Sequence, residues 1–244
     1  SEQGIGLSAL GIGEDWNDVF LDKLASHGNG ISQYISSPSQ VRDVLREQIQ
    51  GLSSVLVRNL HLKINPVSYV QVQNVYRTSP YLEHLSKGKT EAAFMLGNLS
   101  LEDSVVIVIE FVVHPSEGGE HRIARLDLDA EEMELEQPIR LRRDIEVVIS
   151  KQVAEEPPPT RLVNLMARLS VFKLQERAWE ALEAGNAQQA THLLETAATH
   201  LFSLGHKELA QSARMEATRL AREGSPSKEG RKRLRYGTRS LTTA

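Results

Sequence analysis

Six cations crowd the C-terminal end of the chain: Lys228, Arg231, Lys232, Arg233, Arg235 and Arg239, with Tyr236 among them. Clustered ammonium and guanidinium groups beside an aromatic ring can contact phosphates, and binding of that kind falls steeply with salt. These six residues are therefore the candidate anion-binding positions, for a nucleic acid or another anionic surface. The competing expectation is that a charged terminus is simply solvated, or rests on an acidic neighbouring surface. Asp127, Asp129, Glu131, Glu132, Glu134 and Glu136 form an acidic stretch that could supply one.

Other patterns stop short of chemistry. Gly4-x-Gly6 and Gly11-x-Gly13 could let backbone amides approach a phosphate, but the third glycine position after Gly13 is Trp16, and no Gly-Lys-Ser/Thr follows. We read both as tight turns. None of the eight histidines falls in His-x-x-x-His or His-Glu-x-x-His spacing. His192 and His200 would lie two helical turns apart, about 12 Å, too far to share an ion. The acidic stretch lacks the Asp-x-Asp-x-Asp-Gly arrangement that wraps calcium, so it reads as a solvated strand and turn. No Gly-x-Ser-x-Gly elbow presents a nucleophile. Neither catalytic residues, nor a cofactor, nor metal ligands are expected in this chain, and an enzymatic role is not expected. Asn98-Leu99-Ser100 matches a glycosylation sequon, read here as chance.

The composition sets wider bounds. A chain of 244 residues, 40% apolar and 25% charged, is ordinary for a globular protein and long enough for two or three domains. It contains no cysteine, so disulfides and thiolate metal sites are excluded. No apolar run reaches the length of a membrane span, and a cytoplasmic location is the expectation. The net charge of −4 implies no partner by itself. The first residue is Ser1 rather than Met, which fits either a processed product or an incomplete sequence.

Four kinds of element must position these residues. An apolar run, Ile5 to Ile12, precedes a helical pattern over 17–27 in which Trp16, Val19, Phe20 and Leu24 recur at helical spacing. Gly28 and Gly30 suit a helix end, Ile31 to Ile35 reads as a second strand, and Ser37-Pro38 opens a helix with Val41, Val44, Leu45, Gln48, Ile49 and Leu52 on one face. Strand, helix, strand, helix implies parallel strands of a larger sheet covered by helices on both faces. From Asn59 to Ser150 the period becomes two: Leu60 to Ile64, Val67 to Tyr76, Thr90 to Leu96, Val105 to His114, Glu120 to Asp129 and Ile139 to Ser150 are strands of a β-sandwich. Turn signals at Gly88, Gly97-Asn98 and residues 115–119 separate them, and the very apolar Val105 to Val113 is expected to be a central strand. Glu155-Glu156-Pro157-Pro158-Pro159-Thr160 is a linker.

Residues 161–183, 187–204 and 207–223 then show helical periodicity, broken at Gly185-Asn186 and Gly205. Leu162, Leu165, Leu169, Phe172, Leu174, Ala178 and Leu182 make one apolar stripe; Ala190, Leu193, Leu194, Ala197, Ala198 and Leu201 make another. Ala178-x-x-Ala181-Leu182-x-x-Gly185-Asn186 followed by Ala190-x-x-Leu193-Leu194 resembles one unit of a tetratricopeptide-type hairpin.

Gly4 to Gly13, the helix through Phe20 to Ala25, the Gly28-Asn29-Gly30 turn and Ser36-Ser37-Pro38 resemble the closing part of a von Willebrand factor type A domain. The order of parts along the whole chain is also similar to the rear portion of bacterial proteins built around such a domain. The resemblance implies that the match begins just before the family's fifth strand. It also implies a partner-binding Mg2+ held by an Asp-x-Ser-x-Ser loop, a middle-loop Thr and an Asp after the fourth strand. The chain contains no Asp-x-Ser-x-Ser, so Mg2+ is expected only if an N-terminal half is also present.

The expected fold is thus α+β and multidomain. Residues 1–56 form a two-strand remnant of a doubly wound type A domain, 57–152 an antiparallel β-sandwich, 153–160 a Pro-rich linker, 161–223 a bundle of helical hairpins, and 224–244 a basic tail. The expected function is a non-catalytic protein-protein interaction or scaffold module. Its partner would be a protein, and self-association or complementation would use the open sheet edge of the first strand. The alternative is nucleic-acid or anionic-surface binding through the basic tail.

Overall fold

The computed structural model describes residues 7–27, 29–53, 55–86, 93–101, 104–114, 117–134, 137–150 and 157–241. Gly4 to Gly6, Gly28, Gly88, 90–92, 115–116, and Glu155-Glu156 of the linker lie outside the described residues, as do the side chains of Gln48 and Leu52. The chain divides into two compact units: Ser1–Ser8, Leu24–Ile31 and Arg42–Pro157 form the first, and Ala9–Lys23, Ser32–Val41 and Pro158–Ala244 the second.

The first elements are β1 (Leu7–Ile12), α1 (Asp18–His27), β2 (Asn29–Ile35) and α2 (Val41–Ser53). β1 and β2 form a two-stranded sheet. Leu7 lies against Gly30, and the Gly13 amide donates to the Ile35 carbonyl at 3.2 Å, so the strands run in the same direction. Two glycines make this local geometry. A Cβ on Gly30 would meet the Leu7 carbonyl oxygen at 2.2 Å, and one on Gly11 would meet the Trp16 indole at the same distance. Gly13, at φ 71°, makes the turn after β1.

A sandwich fills most of the first unit. β3 (Val55–Pro66), β4 (Val70–Ser79), β5 (Glu83–His84), β6 (Ala93–Ser100), β7 (Val106–Val113), β8 (Gly119–Glu132) and β9 (Pro138–Ile149) form a four-stranded sheet of order β6-β3-β8-β9 and a three-stranded sheet of order β5-β4-β7. Each described ladder is antiparallel. Period-two patterning explains the core: Leu60, Leu62 and Ile64 of β3 are buried with Val75, Phe94, Leu96, Ala124 and Ala130. Lys63 and Asn65 face the other way, toward Asp129 and Asp127.

β7 corrects one expectation. The apolar run over 105–113 is an edge strand, not a central one, because among the described residues it pairs with β4 alone. Ile107, Ile109 and Phe111 pack on the core, and most of the intervening residues are half-buried. An apolar run reports covering of two faces, whereas centrality requires pairing at two edges, and hydropathy carries no signal for the latter.

The second unit contains α3 (Thr160–Glu183), α4 (Ala187–Ser203), α5 (Lys207–Glu223) and α6 (Lys228–Arg239). Gly185 and Gly205, both at positive φ, end α3 and α4, and the Asn186 side chain caps α4 by accepting from the Gln189 amide at 3.0 Å. The expected α4 stripe is buried throughout. On α3 the stripe residues Leu169, Phe172 and Ala178 are buried, Leu165, Leu174 and Leu182 are half-buried, and Leu162 is exposed. The basic tail is a helix. Leu234, Tyr236 and Thr238 are buried along it, and Leu241 just beyond its end.

Candidate functional site

Helix α6 begins at Ser227, whose hydroxyl accepts from the Gly230 amide at 2.9 Å. The same residue donates to Glu216 of α5 through its hydroxyl and its amide, each at 2.7 Å. A buried carboxylate thus anchors the helix start, where the positive end of the helix dipole favours it. Gly230 and Gly237 let α6 lie close on α5: a Cβ would meet Glu216 Oε1 at 2.1 Å in one case and Leu209 Cδ1 at 2.6 Å in the other. Thr238 donates to the buried Gln175 side chain of α3 at 2.8 Å.

Four of the six predicted cations are drawn into the protein. Arg239 grips Asp22 of α1 through both carboxylate oxygens at 2.8 Å, and Arg235 reaches Asp22 at 2.7 Å and Asp18 at 2.9 Å. The Tyr236 hydroxyl donates to Asp22 at 2.9 Å, and the Ser32 hydroxyl of β2 donates to the same oxygen. Asp22 is the hub of this cluster, with its side chain 12% exposed. Burial pushes its carboxyl pKa up, but the hydrogen bond and charge of Arg239, then Arg235 and Ser32, outweigh burial and hold it below 3.8. Burial also pushes the Tyr236 hydroxyl up to about 12, with the Asp22 carboxylate adding to the effect.

Arg231 pairs with Glu183 at 3.2 Å and lies over the Trp179 ring. Lys232 donates to the Glu14 and Trp16 carbonyls in the turn after β1, and its ammonium sits 4.2 Å from the Trp16 ring centroid. Burial lowers the Lys232 pKa. Trp16, Tyr34 and Tyr236 surround this point, with ring centroids 5.8 to 6.3 Å apart. Lys228 and Arg233 are exposed; Lys228 pairs with Asp15 at 3.0 Å and Arg233 approaches Glu208 at 4.0 Å. Charge pairing along this surface joins α6 to α1 and to the turn before it.

The acidic surface that receives the basic residues is therefore Asp15, Asp18, Asp22, Glu183 and Glu208, all in the same unit. The acidic stretch of β8 is used otherwise: Asp127 pairs with Arg142, Asp129 with Lys63 and Arg140, and Glu131 with Arg58. Asp15, Asp18 and Asp22 do not suit a divalent cation, because lysine and arginine already neutralise them, and no group of three candidate ligands comes together among the described residues.

Sequence reasoning missed the acidic half of this cluster, although a signal was present. Asp15, Asp18 and Asp22 recur at intervals of three and four, and so do Lys228, Arg231, Arg235 and Arg239; the basic set lines one side of α6, and Asp18 and Asp22 share one side of α1 with Asp15 in the turn before it. Two helices with matching periods of opposite charge can dock along their length.

Residues 160–244 match the family described as Sll0103-like, C-terminal alpha-helical domain. Over 242 residues the chain is 26% identical to a Synechocystis protein, "Uncharacterized protein sll0103", in a match covering 96% of this chain and 57% of that protein. The fold is similar to that of a von Willebrand factor type A protein from Catenulispora acidiphila, with a TM-score of 0.73 and 19% identity over 97% of this chain and 58% of that one. It is also similar to the ArnB paralog VWA2 from Sulfolobus acidocaldarius (TM-score 0.52, 17% identity, 97% of this chain and 56% of that one). A third likeness is to the human COPII-coat protein Sec24c (TM-score 0.55, 11% identity, 97% of this chain and 33% of that one). The chain has a type A-like fold, and it spans under two thirds of the length of each of these proteins.

Proposed function

We propose that this chain is a non-catalytic protein-interaction module, in which residues 7–53 are the closing portion of a type A-like domain completed by further polypeptide. One observation carries the reading: among the described residues β1 pairs with β2 alone, and α1 and α2 each leave large apolar side chains in solvent, Phe20 at 59% and Ile49 at 66% exposed. Val19, Leu24 and Leu45 are exposed as well. Helices flanking a parallel sheet normally bury such residues against neighbouring strands and helices. The 57% and 58% coverage of the two proteins above supports the same view. On this reading α6 braces the strand-helix portion within its unit, and its cations serve structure before ligand binding. Any Mg2+ would be held by residues outside this chain.

The test is to co-express this chain with the segment encoded upstream of it in the same reading frame, as two polypeptides. A stable one-to-one complex, weakened by Phe20→Asp, is expected. Failure to associate, with both pieces folded, would overturn the reading.

A further inference from the structure

β9 ends the four-stranded sheet, with β8 on one side and no strand on the other among the described residues. Natural sheets blunt such edges with short strands, prolines or charges that repel an incoming copy. β9 is 12 residues long, and apart from Pro138 at its start it has no proline. Its charges follow a different rule. On its outer face the order is Arg140, Arg142, Asp144, Glu146, two positive residues followed by two negative ones. Arg140 keeps its side chain 83% exposed despite its contact with Asp129, and Glu146 is exposed. On the opposite face the order is Ile139, Leu141, Arg143, Ile145, Val147, and Leu141 is 60% exposed although it points to the side of the core.

We propose that this edge is a self-complementary interface, through which two copies of the chain join β9 to β9 in antiparallel pairing about a two-fold axis at Arg143. In that register Arg140 faces Glu146 of the second copy, Arg142 faces its Asp144, and Leu141 faces its Ile145. Two-fold symmetry repeats each pair, as an isologous contact requires. The axis sets Arg143 against Arg143, one like-charge pair beside four ion pairs. A slip by two residues keeps one like pair, Arg142 against Arg142 or Asp144 against Asp144, and halves the ion pairs to two. A slip by one puts the apolar residues on the charged face. In-register parallel pairing places each charge against its like. The two four-stranded sheets would merge into one of eight strands, the backbone edge of each satisfied by the other. Asp127, Asp129 and Arg125 of β8 already orient Arg142, Arg140 and Asp144, so the charged side chains are held in place before association.

Sedimentation equilibrium of the full chain tests this. The wild type is expected to show a monomer-dimer equilibrium that weakens as salt rises. Arg140→Glu and Glu146→Arg each set like charges opposite one another twice, so each variant alone should lose affinity by at least about tenfold. Mixed together the two variants restore complementary pairs, so a heterodimer of wild-type affinity should form. Both positions are exposed, and circular dichroism checks that each variant is folded. A wild type that stays monomeric at all concentrations, a dimer indifferent to either substitution, or a mixture that fails to recover would each overturn the proposal.

Discussion

Replacing Asp22 by Asn tests the cluster that docks α6. The substitution keeps the shape of the side chain and removes its charge. Asp22 accepts two hydrogen bonds from Arg239 at 2.8 Å, one contact from Arg235 at 2.7 Å, one from Tyr236 at 2.9 Å, and one from Ser32. Breaking a buried ion pair from one side costs about 3–5 kcal/mol, because the remaining charge loses its counterion. The lower end applies here, since both guanidiniums stay about one-fifth exposed and Arg235 retains Asp18. A loss of about 3 kcal/mol lowers the melting temperature of a unit this size by roughly 10–20 °C. Thermal unfolding followed by far-ultraviolet circular dichroism and by Trp16 fluorescence reads it. The acid limb supplies a second check. The folded Asp22 pKa lies below its unfolded value, so its stabilisation is complete above about pH 4 and is lost as pH falls through the folded value. The gap between wild type and variant should narrow over that window. A destabilisation under about 0.5 kcal/mol, the range of ordinary surface substitutions, would refute the account of the cluster.

Three further outcomes follow from the same geometry. The folded Tyr236 hydroxyl has its pKa raised to about 12, so the stability it contributes is whole below pH 10 and is lost between pH 10 and 12; Tyr236→Phe should flatten this alkaline limb in a pH titration of stability. Gly230→Ala gains about 1 kcal/mol of helix propensity but forces Glu216 off Ser227, so chemical denaturation should show a net loss of about 1–2 kcal/mol rather than a gain. Gly11→Ala should displace the Trp16 indole, shifting its fluorescence to the red and lowering stability by about 1–3 kcal/mol.

Much of the fold was legible in the residues. Alternation at Leu60, Leu62 and Ile64 marks the sandwich core, and spacing at Ala190, Leu193, Leu194, Ala197, Ala198 and Leu201 marks the buried face of α4, because each pattern follows directly from side-chain direction. Strand order was not legible: nothing in the composition of Val106–Val113 distinguishes an edge from a centre. The helical state of residues 228–239 was hidden by Gly230 and Gly237, which lower helix propensity yet are needed where α6 meets Glu216 and Leu209. The candidate site was legible as six cations but not as a salt-bridged dock, since three of its acidic partners, Asp15, Asp18 and Asp22, lie over 200 positions away in sequence.

The central claim, that residues 7–53 are the closing portion of a type A-like sheet, is tested most directly by amide hydrogen exchange along β1 with and without the upstream polypeptide. Alternate amides of Leu7–Ile12 that face away from β2 should exchange fast in the isolated chain and become protected when the missing strand pairs with them. Protection already present in the isolated chain, or unchanged on adding the upstream segment, would contradict the account.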